Sequence, residues 1–342
     1  MKKKKVLKIV LISAVSLLVV AGIVFGVFMF TNIKNAERWA KILEQIENTP
    51  DEDVLDYFNS ESSFEYDMSD FKKNLDKANE NQASLVSEAI EWMEDIREVP
   101  DDYMEIYKEA NEGIAEFFYE EYGVSVEDKL AVYKVVQIDI PSQYEIGGFY
   151  AYGDDVDGKT IYINSDTFEL PADDLTEDGI AGVLNTYIHE TVHYLGFNSP
   201  NNEDLSLIME GFTAALTIDI LEYMGYDIPG GADTAYLLNQ RMVRQLMMAN
   251  EDIVGLVVSS DGKGDTLLYE ELCDVLGKEK ASDYCEINII LDYYFTSPQF
   301  SGDEEMLYVG QYLTAEYCKS FDLTDEEILE IHKYFIAPVA EI

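Results

Sequence analysis

Two of the three histidines in the chain lie four residues apart, in the stretch His189-Glu190-Thr191-Val192-His193. If this stretch is helical, residues four apart share one face, so both imidazoles can reach a single metal ion. Glu190 is not needed as a ligand and suits the role of a general base. The spacing therefore predicts half of a zinc site with its own base. The alternative is a buried helix whose histidines only form hydrogen bonds.

A third ligand is needed, because a catalytic zinc ion has three protein ligands and an open position for water. Glu210 lies in the apolar stretch 207–216, where a carboxylate is costly unless it is paired or bound to a metal. We therefore predict Glu210 as the third ligand, with an exposed glutamate on the helix edge as the alternative. His332, the remaining histidine, is interpreted as a surface or packing residue, with a role at the oxyanion as the alternative.

The elements that must position these residues follow from hydrophobic periodicity and capping. Thr176 is a suitable N-cap for a helix that contains the histidines and ends near Gly196. The predicted neighbours are a helix at 102–122, strands at 130–140, 148–152 and 160–163, a second apolar helix at 204–224, and mainly helices after 236.

Residues 153–158 are rich in glycine and aspartate, which favours a hairpin turn over a Ca²⁺ loop. The order of the elements predicts an α+β protein with two lobes. A small sheet and the metal helix form one lobe, and the C-terminal lobe is mostly helical.

The motif of His189, Glu190 and His193, followed by Glu210-Gly211-Phe212, resembles the gluzincins. These zinc metallopeptidases, which include thermolysin and the aminopeptidase-N type, combine an HExxH helix with a downstream glutamate. The resemblance covers roughly residues 100–250. It implies a zincin-like fold, Zn²⁺ held by the two histidines and Glu210, and strand 160–163 pairing with an extended substrate in the cleft.

The sequence also departs from the gluzincin pattern. Ala214 stands where the thermolysin-like pattern has an aspartate, so a partner for a ligand histidine must come from elsewhere. Residues 148–150 offer no acid to hold a substrate amine, so internal cleavage is expected rather than aminopeptidase activity. Tyr236 is the first candidate for the oxyanion donor, with a core or surface role as the alternative.

The amino-terminal segment predicts a membrane anchor. A cluster of lysines precedes an uncharged apolar run from Ile9 to Phe30, which is long enough to span a bilayer as a helix. The run is long for a signal peptide and lacks an evident cleavage site, so we interpret it as an uncleaved signal anchor. The lysines should stay cytoplasmic, which places the following domain outside the cell. Cleavage after the run, giving a secreted form, is the alternative.

Four regions follow from these patterns: the anchor at 1–30, a helical stalk or accessory region at 31–99, a catalytic core at 100–250 and a helical C-terminal region at 251–342. A propeptide is the alternative for region 31–99. The three cysteines, an odd and small number, argue against a disulfide-built scaffold but leave one pair open.

The formal net charge of −45 excludes nucleic acid as a partner, because such a surface repels phosphate. The sequence as a whole predicts a membrane-anchored, extracytoplasmic zinc peptidase that acts on peptide or protein substrates. The alternatives are a zinc-binding sensor or interaction protein without turnover, and a tethered structural protein whose helix merely resembles the motif.

Overall fold

The computed structural model describes most of the chain after the amino-terminal segment. The described residues are 38–61, 63–71, 75–77, 80, 89–93, 95–142, 146–150, 159–196, 206–228, 236–260, 262–296 and 304–342. The predicted anchor at 9–30 and the predicted turn at 153–158 lie outside these ranges. Within them, no helix combines the length and the apolar character needed to cross a membrane.

Helices dominate the described chain, and the three whose bounds were predicted, at 102–122, 176–196 and 204–224, lie close to the expectation. They are α1 (38–47), α2 (Asp51–Asn59), α3 (Asp101–Tyr122), α4 (Glu127–Leu130), α5 (Glu177–Gly196), α6 (Ser206–Tyr223), α7 (Leu237–Ala249), α8 (Asp252–Ser259), α9 (Gly264–Leu276), α10 (Lys278–Thr296), α11 (Glu304–Cys318) and α12 (Asp325–His332).

A four-stranded mixed sheet interrupts the helices, in the order β1-β2-β4-β3. The strands are β1 (Arg97–Glu98), β2 (Lys134–Ile138), β3 (Gly148–Tyr150) and β4 (Thr160–Asn164). β4 pairs in parallel with β2 and antiparallel with β3, while β1 pairs antiparallel with β2. β4 is therefore an interior strand, and its five residues are all buried.

The helix α5 lies between the sheet and the other helices. It packs against β3 and β4 on one side and against α3, α6 and α8 on the others. The opposite face of the sheet is covered by a small separate cluster in which Trp92 contacts Phe149. The sheet is thus a cover over part of α5 rather than the centre of the molecule.

The predicted fold class, an α+β zincin-like domain of two lobes, is wrong. About 70% of the structure is helical, and the sheet consists of short strands. One connected cluster of buried side chains runs from Ile42 to Ala337, so helices on both sides of α5 share one core in the described chain. The three predicted strands do exist, but each is only three to five residues long, and helices make up most of the described chain. The proposed region boundaries remain predictions.

The segment before the sheet packs against the carboxyl-terminal helices. Phe58 stacks on Phe335 with ring centroids 5.9 Å apart. The Tyr66 hydroxyl donates a hydrogen bond of 2.8 Å to Asp283. Lys319 lies 4.5 Å from the ring centroid of Tyr57. Residues from the two ends of the described chain therefore pack into the same hydrophobic core.

All three cysteines lie in the described chain and are free thiols. The open expectation that one pair could close is not met in this structure. Burial raises the pKa of the Cys318 thiol well above its ordinary value, which keeps it protonated. The fold is held by packing, as expected for a chain long enough to bury a large core.

Candidate metal centre

The metal-binding motif lies on a helix, as predicted. α5 begins after Thr176, whose side-chain oxygen accepts a hydrogen bond of 3.1 Å from the backbone N–H of Gly179, which is an N-cap contact. Ile188 and Val192 are fully buried on the core side of α5. This burial fixes the rotation of the helix, so His189 and His193 both face α6.

The packing of α6 on α5 brings Glu210 between the two histidines. The Nε2 atoms of His189 and His193 are 3.2 Å apart. The Oε2 atom of Glu210 lies 3.0 Å from the first and 3.2 Å from the second. The three predicted ligands therefore meet at one place, and each presents one atom to the others.

This triangle has the size of a metal coordination shell. Ligands about 2.0–2.1 Å from a tetrahedral metal ion lie about 3.3 Å from one another. The three observed edges are only slightly shorter, so an ion slightly above the triangle would be within bonding distance of all three atoms. The group can hold a metal ion. Among the described residues, this is the one group of three histidine, cysteine or acidic side chains that could hold a metal ion.

The electrostatics of Glu210 suit a ligand. Burial by itself would raise the pKa of this carboxyl, but the charge of His193 and hydrogen bonds with both histidines outweigh burial and hold the pKa well below its usual range. The group is therefore an anion at neutral pH. An anionic oxygen and two neutral imidazole nitrogens are a common donor set for a divalent transition metal.

Glu190 is next to the triangle but is not part of it. It is only 6% exposed, and it accepts a hydrogen bond from the backbone of Tyr150. Burial raises the pKa of Glu190 to about 7, opposed by the charge of His189 and assisted by that of Glu210. Burying a carboxylate that binds no cation costs free energy, so the position of Glu190 beside the candidate ligands favours a functional role for it.

The edge strand β3 is held close to α5 by its glycines. A Cβ atom on Gly147 would lie 2.7 Å from the Thr186 hydroxyl, and one on Gly148 would lie 2.7 Å from the Tyr162 carbonyl oxygen. Only residues without side chains fit here, and this close approach lets the backbone of Tyr150 reach Glu190. The strand therefore borders the centre directly.

The expectation that strand 160–163 lines the cleft and pairs with substrate is wrong. That strand is β4, and both of its edges are occupied, by β2 and by β3. The sequence pattern of β4 could not show this, because the strand order depends on how the chain crosses from β2 to the parallel strand β4. β3 lies between these two strands in sequence but pairs on the far side of β4. The strand that lies beside the metal centre at the end of the sheet is β3.

Tyr236, the predicted oxyanion donor, lies at the centre as well. Its ring is nearly parallel to that of His189, with centroids 6.1 Å apart and an interplanar angle of 15°. Tyr236 precedes α7 in a left-handed conformation with φ of 52°, the one non-glycine residue with positive φ in the described ranges. A tyrosine in this region is strained by about 1–3 kcal/mol, which often marks a functional position.

Two neighbours of the motif were not found by sequence reasoning. Thr213 is fully buried, and its hydroxyl lies 3.4 Å from Nδ1 of His193. Asn111 on α3 accepts hydrogen bonds of 2.8 Å and 2.7 Å from the hydroxyls of Tyr187 and Tyr133. The signal for Thr213 was available, since it follows Glu210 by three residues and so shares its helix face. The signal for Asn111 was not, because it depends on tertiary packing.

His332 does not contribute to the centre in the described structure. It is buried on α12, where its ring meets Phe335 edge to face at 5.0 Å. Its interpretation as a packing residue is therefore supported. Gly211, the residue after Glu210 on α6, faces α7, because a Cβ atom there would lie 2.6 Å from the backbone of Asn239.

The comparisons with known proteins give no family for this chain. No protein-family model, no curated protein and no solved structure matches it significantly.

Proposed function

We propose that this protein is a zinc-dependent peptidase that cleaves peptide bonds within a peptide or protein substrate. The observation that carries the proposal is a buried Glu190 whose carboxyl interacts with the charges of His189 and Glu210 but is not one of the three groups that could hold the metal ion. A purely structural metal site has no use for such a carboxylate, whereas hydrolysis needs a base at this position. The resemblance to the gluzincin ligand pattern supports the same reading.

The donor set fits zinc. Two imidazole nitrogens and one carboxylate oxygen match the protein ligands of a catalytic zinc site. A bound zinc ion would lower the pKa of a water molecule and polarise the substrate carbonyl. His189, His193 and Glu210 would hold the ion, and the anionic state of Glu210 favours this.

Glu190 would act as the base in this reaction. Its carboxylate accepts a proton from the attacking water and passes it to the leaving amine. The backbone of Tyr150 holds the carboxylate in place through its hydrogen bond. Tyr236, stacked on His189, would donate a hydrogen bond to the oxygen of the attacked carbonyl.

The edge strand β3 is the better candidate for substrate binding. An extended peptide that lies along this strand would pass close to Glu190. The strand Gly148-Phe149-Tyr150 contains no acid to hold a free amino terminus. We therefore expect cleavage within chains, including chains with blocked ends. The extracytoplasmic, membrane-anchored location remains a prediction from residues 2–30.

The test combines metal content and cleavage in the full chain. We expect about one zinc per chain in the wild type, and retention of zinc in Glu190→Gln with cleavage of an amino-acetylated peptide library reduced roughly 10²- to 10⁴-fold. Glu177→Gln, on an exposed position in the first turn of the same helix, is the matched control and should cleave normally.

Ligand variants complete the test. His189→Ala and Glu210→Ala should lose zinc, while Glu222→Ala, an exposed position on the helix that carries Glu210, should retain it. Equal cleavage by the wild type and Glu190→Gln would discard the peptidase and leave a metal-binding protein without turnover. A wild type that binds no zinc would discard the site.

A further inference from the structure

The second ring nitrogen of His193 faces a side chain of α6. In His193, Nε2 faces Glu210 and His189, while Nδ1 lies 3.4 Å from the hydroxyl of Thr213. An imidazole that binds a metal through Nε2 must carry its proton on Nδ1. A hydroxyl at Nδ1 can accept that proton in a hydrogen bond.

Thr213 is in a position where its hydroxyl has to find a partner within the protein. The residue is 0% exposed, and a buried hydroxyl without a hydrogen bond is costly. Thr217, one turn later on the same face of α6, solves the same problem differently, since its hydroxyl donates a 2.8 Å hydrogen bond to the backbone carbonyl of Thr213. Thr213 therefore contacts a candidate metal ligand, His193, whereas the hydroxyl of Thr217 bonds only to the backbone of its own helix.

The position of Thr213 also accounts for the absence of an aspartate at position 214, where the thermolysin-like pattern has one. Ala214 is buried and has no group that could orient a histidine. Glu210 and Thr213 are three residues apart on α6, so one helix face supplies both a metal ligand and a contact to the other ring nitrogen of His193. The orienting group is therefore one position earlier than in the thermolysin-like pattern.

We propose that Thr213 is a positioning residue of the metal centre, which fixes His193 in the tautomer and ring orientation that leave Nε2 available to the metal. The inference rests on the proposed metal site and adds the hydroxyl group that orients one of its ligands. Groups in this role typically change metal affinity 10- to 100-fold when removed. A neutral hydroxyl is a weaker acceptor than a carboxylate, so we expect about tenfold, at the lower end of that range.

The test measures zinc affinity and the histidine tautomer in the full chain, purified in detergent. Thr213→Val keeps the shape and removes the hydroxyl, and should weaken zinc binding in a chelator competition about tenfold. Thr213→Ser keeps the hydroxyl and should bind as the wild type does. Thr217→Val is the matched control: it removes a buried hydroxyl from the same helix and should leave zinc affinity unchanged.

The tautomer is visible by nitrogen-15 NMR of labelled histidine, since the chain has only three histidines. In the zinc-loaded wild type we expect a slowly exchanging proton on Nδ1 of His193, which exchanges faster in Thr213→Val. If Thr213→Val does not fold, the comparison of Thr213→Ser with Thr213→Ala isolates the hydroxyl.

Unchanged zinc affinity in Thr213→Val would overturn the inference and leave the metal site in place. An equal loss in Thr217→Val would overturn it too, because general packing would then be the cause. A wild type without zinc would overturn the metal site itself, and the inference with it.

Discussion

Two glutamates at this centre have opposite electrostatic environments. Glu210 contacts both histidines, which hold its pKa low, while Glu190 faces the interior and the Tyr150 backbone, and burial raises its pKa to about 7. Environments that separate the pKa values of neighbouring carboxyl groups are the usual way in which one site obtains two roles. One carboxylate is placed to bind a cation and the other to exchange a proton.

Tyr236 is the residue whose role is most directly testable at this scale. Its ring stacks on His189, and its hydroxyl is the proposed donor to the oxyanion. We predict that Tyr236→Phe retains zinc and KM but lowers kcat roughly 10²- to 10³-fold, since removal of one such donor has this effect.

A second variant separates the hydroxyl of Tyr236 from its ring. Tyr236→Leu removes the stacking on His189 as well and should in addition weaken zinc binding. If Tyr236→Phe keeps the kcat of the wild type, the tyrosine only packs against His189. Steady-state kinetics on a blocked peptide and a zinc titration distinguish these results.

At the scale of elements, α6 is the helix that decides the geometry of the centre. It is buried on nearly every side and packs against α3, α5, α7 and α10. A helix that is apolar all round belongs in the middle of a core. Its face toward α5 carries Glu210 and Thr213, and Gly211 lets α7 approach from another side.

Gly211 and Gly182 form a matched pair for a stability test. A methyl group at Gly211 would collide with the backbone of Asn239, so Gly211→Ala should destabilise the protein by about 1–3 kcal/mol and weaken zinc binding through the adjacent Glu210. A methyl group at Gly182, within α5, would meet nothing within 4 Å, so Gly182→Ala should stabilise by about 0.5–1 kcal/mol. Denaturant unfolding measures both effects. A stabilising Gly211→Ala would contradict the packing described for α6 and α7.

At the scale of the whole molecule, the amino-terminal helices are part of the core. Residues 38–71 contact the carboxyl-terminal part of the chain through Tyr57, Phe58 and Tyr66. This part of region 31–99 therefore belongs to the same core as the carboxyl-terminal helices.

His332 links this packing to pH. It lies on α12, which packs on α2 and α7; burial lowers its pKa from the ordinary 6.5, with Asp51 on α2 opposing and Arg241 on α7 assisting. Over the pH range between its folded and unfolded pKa, His332 therefore binds fewer protons in the folded protein than in the unfolded chain. The contribution of His332 to stability is fully present above pH 6.5 and falls as the pH drops below that value towards the folded pKa, by at most about 1.4 kcal/mol per pH unit.

The comparison of wild type with His332→Leu isolates this contribution. Unfolding is measured between pH 7.5 and about 5.5 with a chelator present, so that bound metal does not contribute to the difference between the two proteins. We predict a shallower loss of stability in His332→Leu. The same slope in both proteins would show that the native environment of His332 does not disfavour its charge.

The sequence by itself determined the local features of this protein. The HExxH spacing placed two imidazoles on one helix face, Thr176 marked the start of that helix, and the apolar surroundings of Glu210 marked it as a buried carboxylate that needs a partner. These features follow from helical periodicity and from the cost of burying charge, which act over a few residues. They were sufficient to predict the ligand triangle.

Only the tertiary structure decided the fold class and the neighbours of the site. The sequence predicts strands at 130–140, 148–152 and 160–163 but not their order, so it places the interior β4 beside the cleft, where β3 lies instead. The mostly helical architecture, the contact of Thr213 with His193 and the stacking of Tyr236 on His189 depend on which helix faces meet. Such contacts join residues that are distant in the chain, and no local pattern of hydrophobicity or charge specifies them.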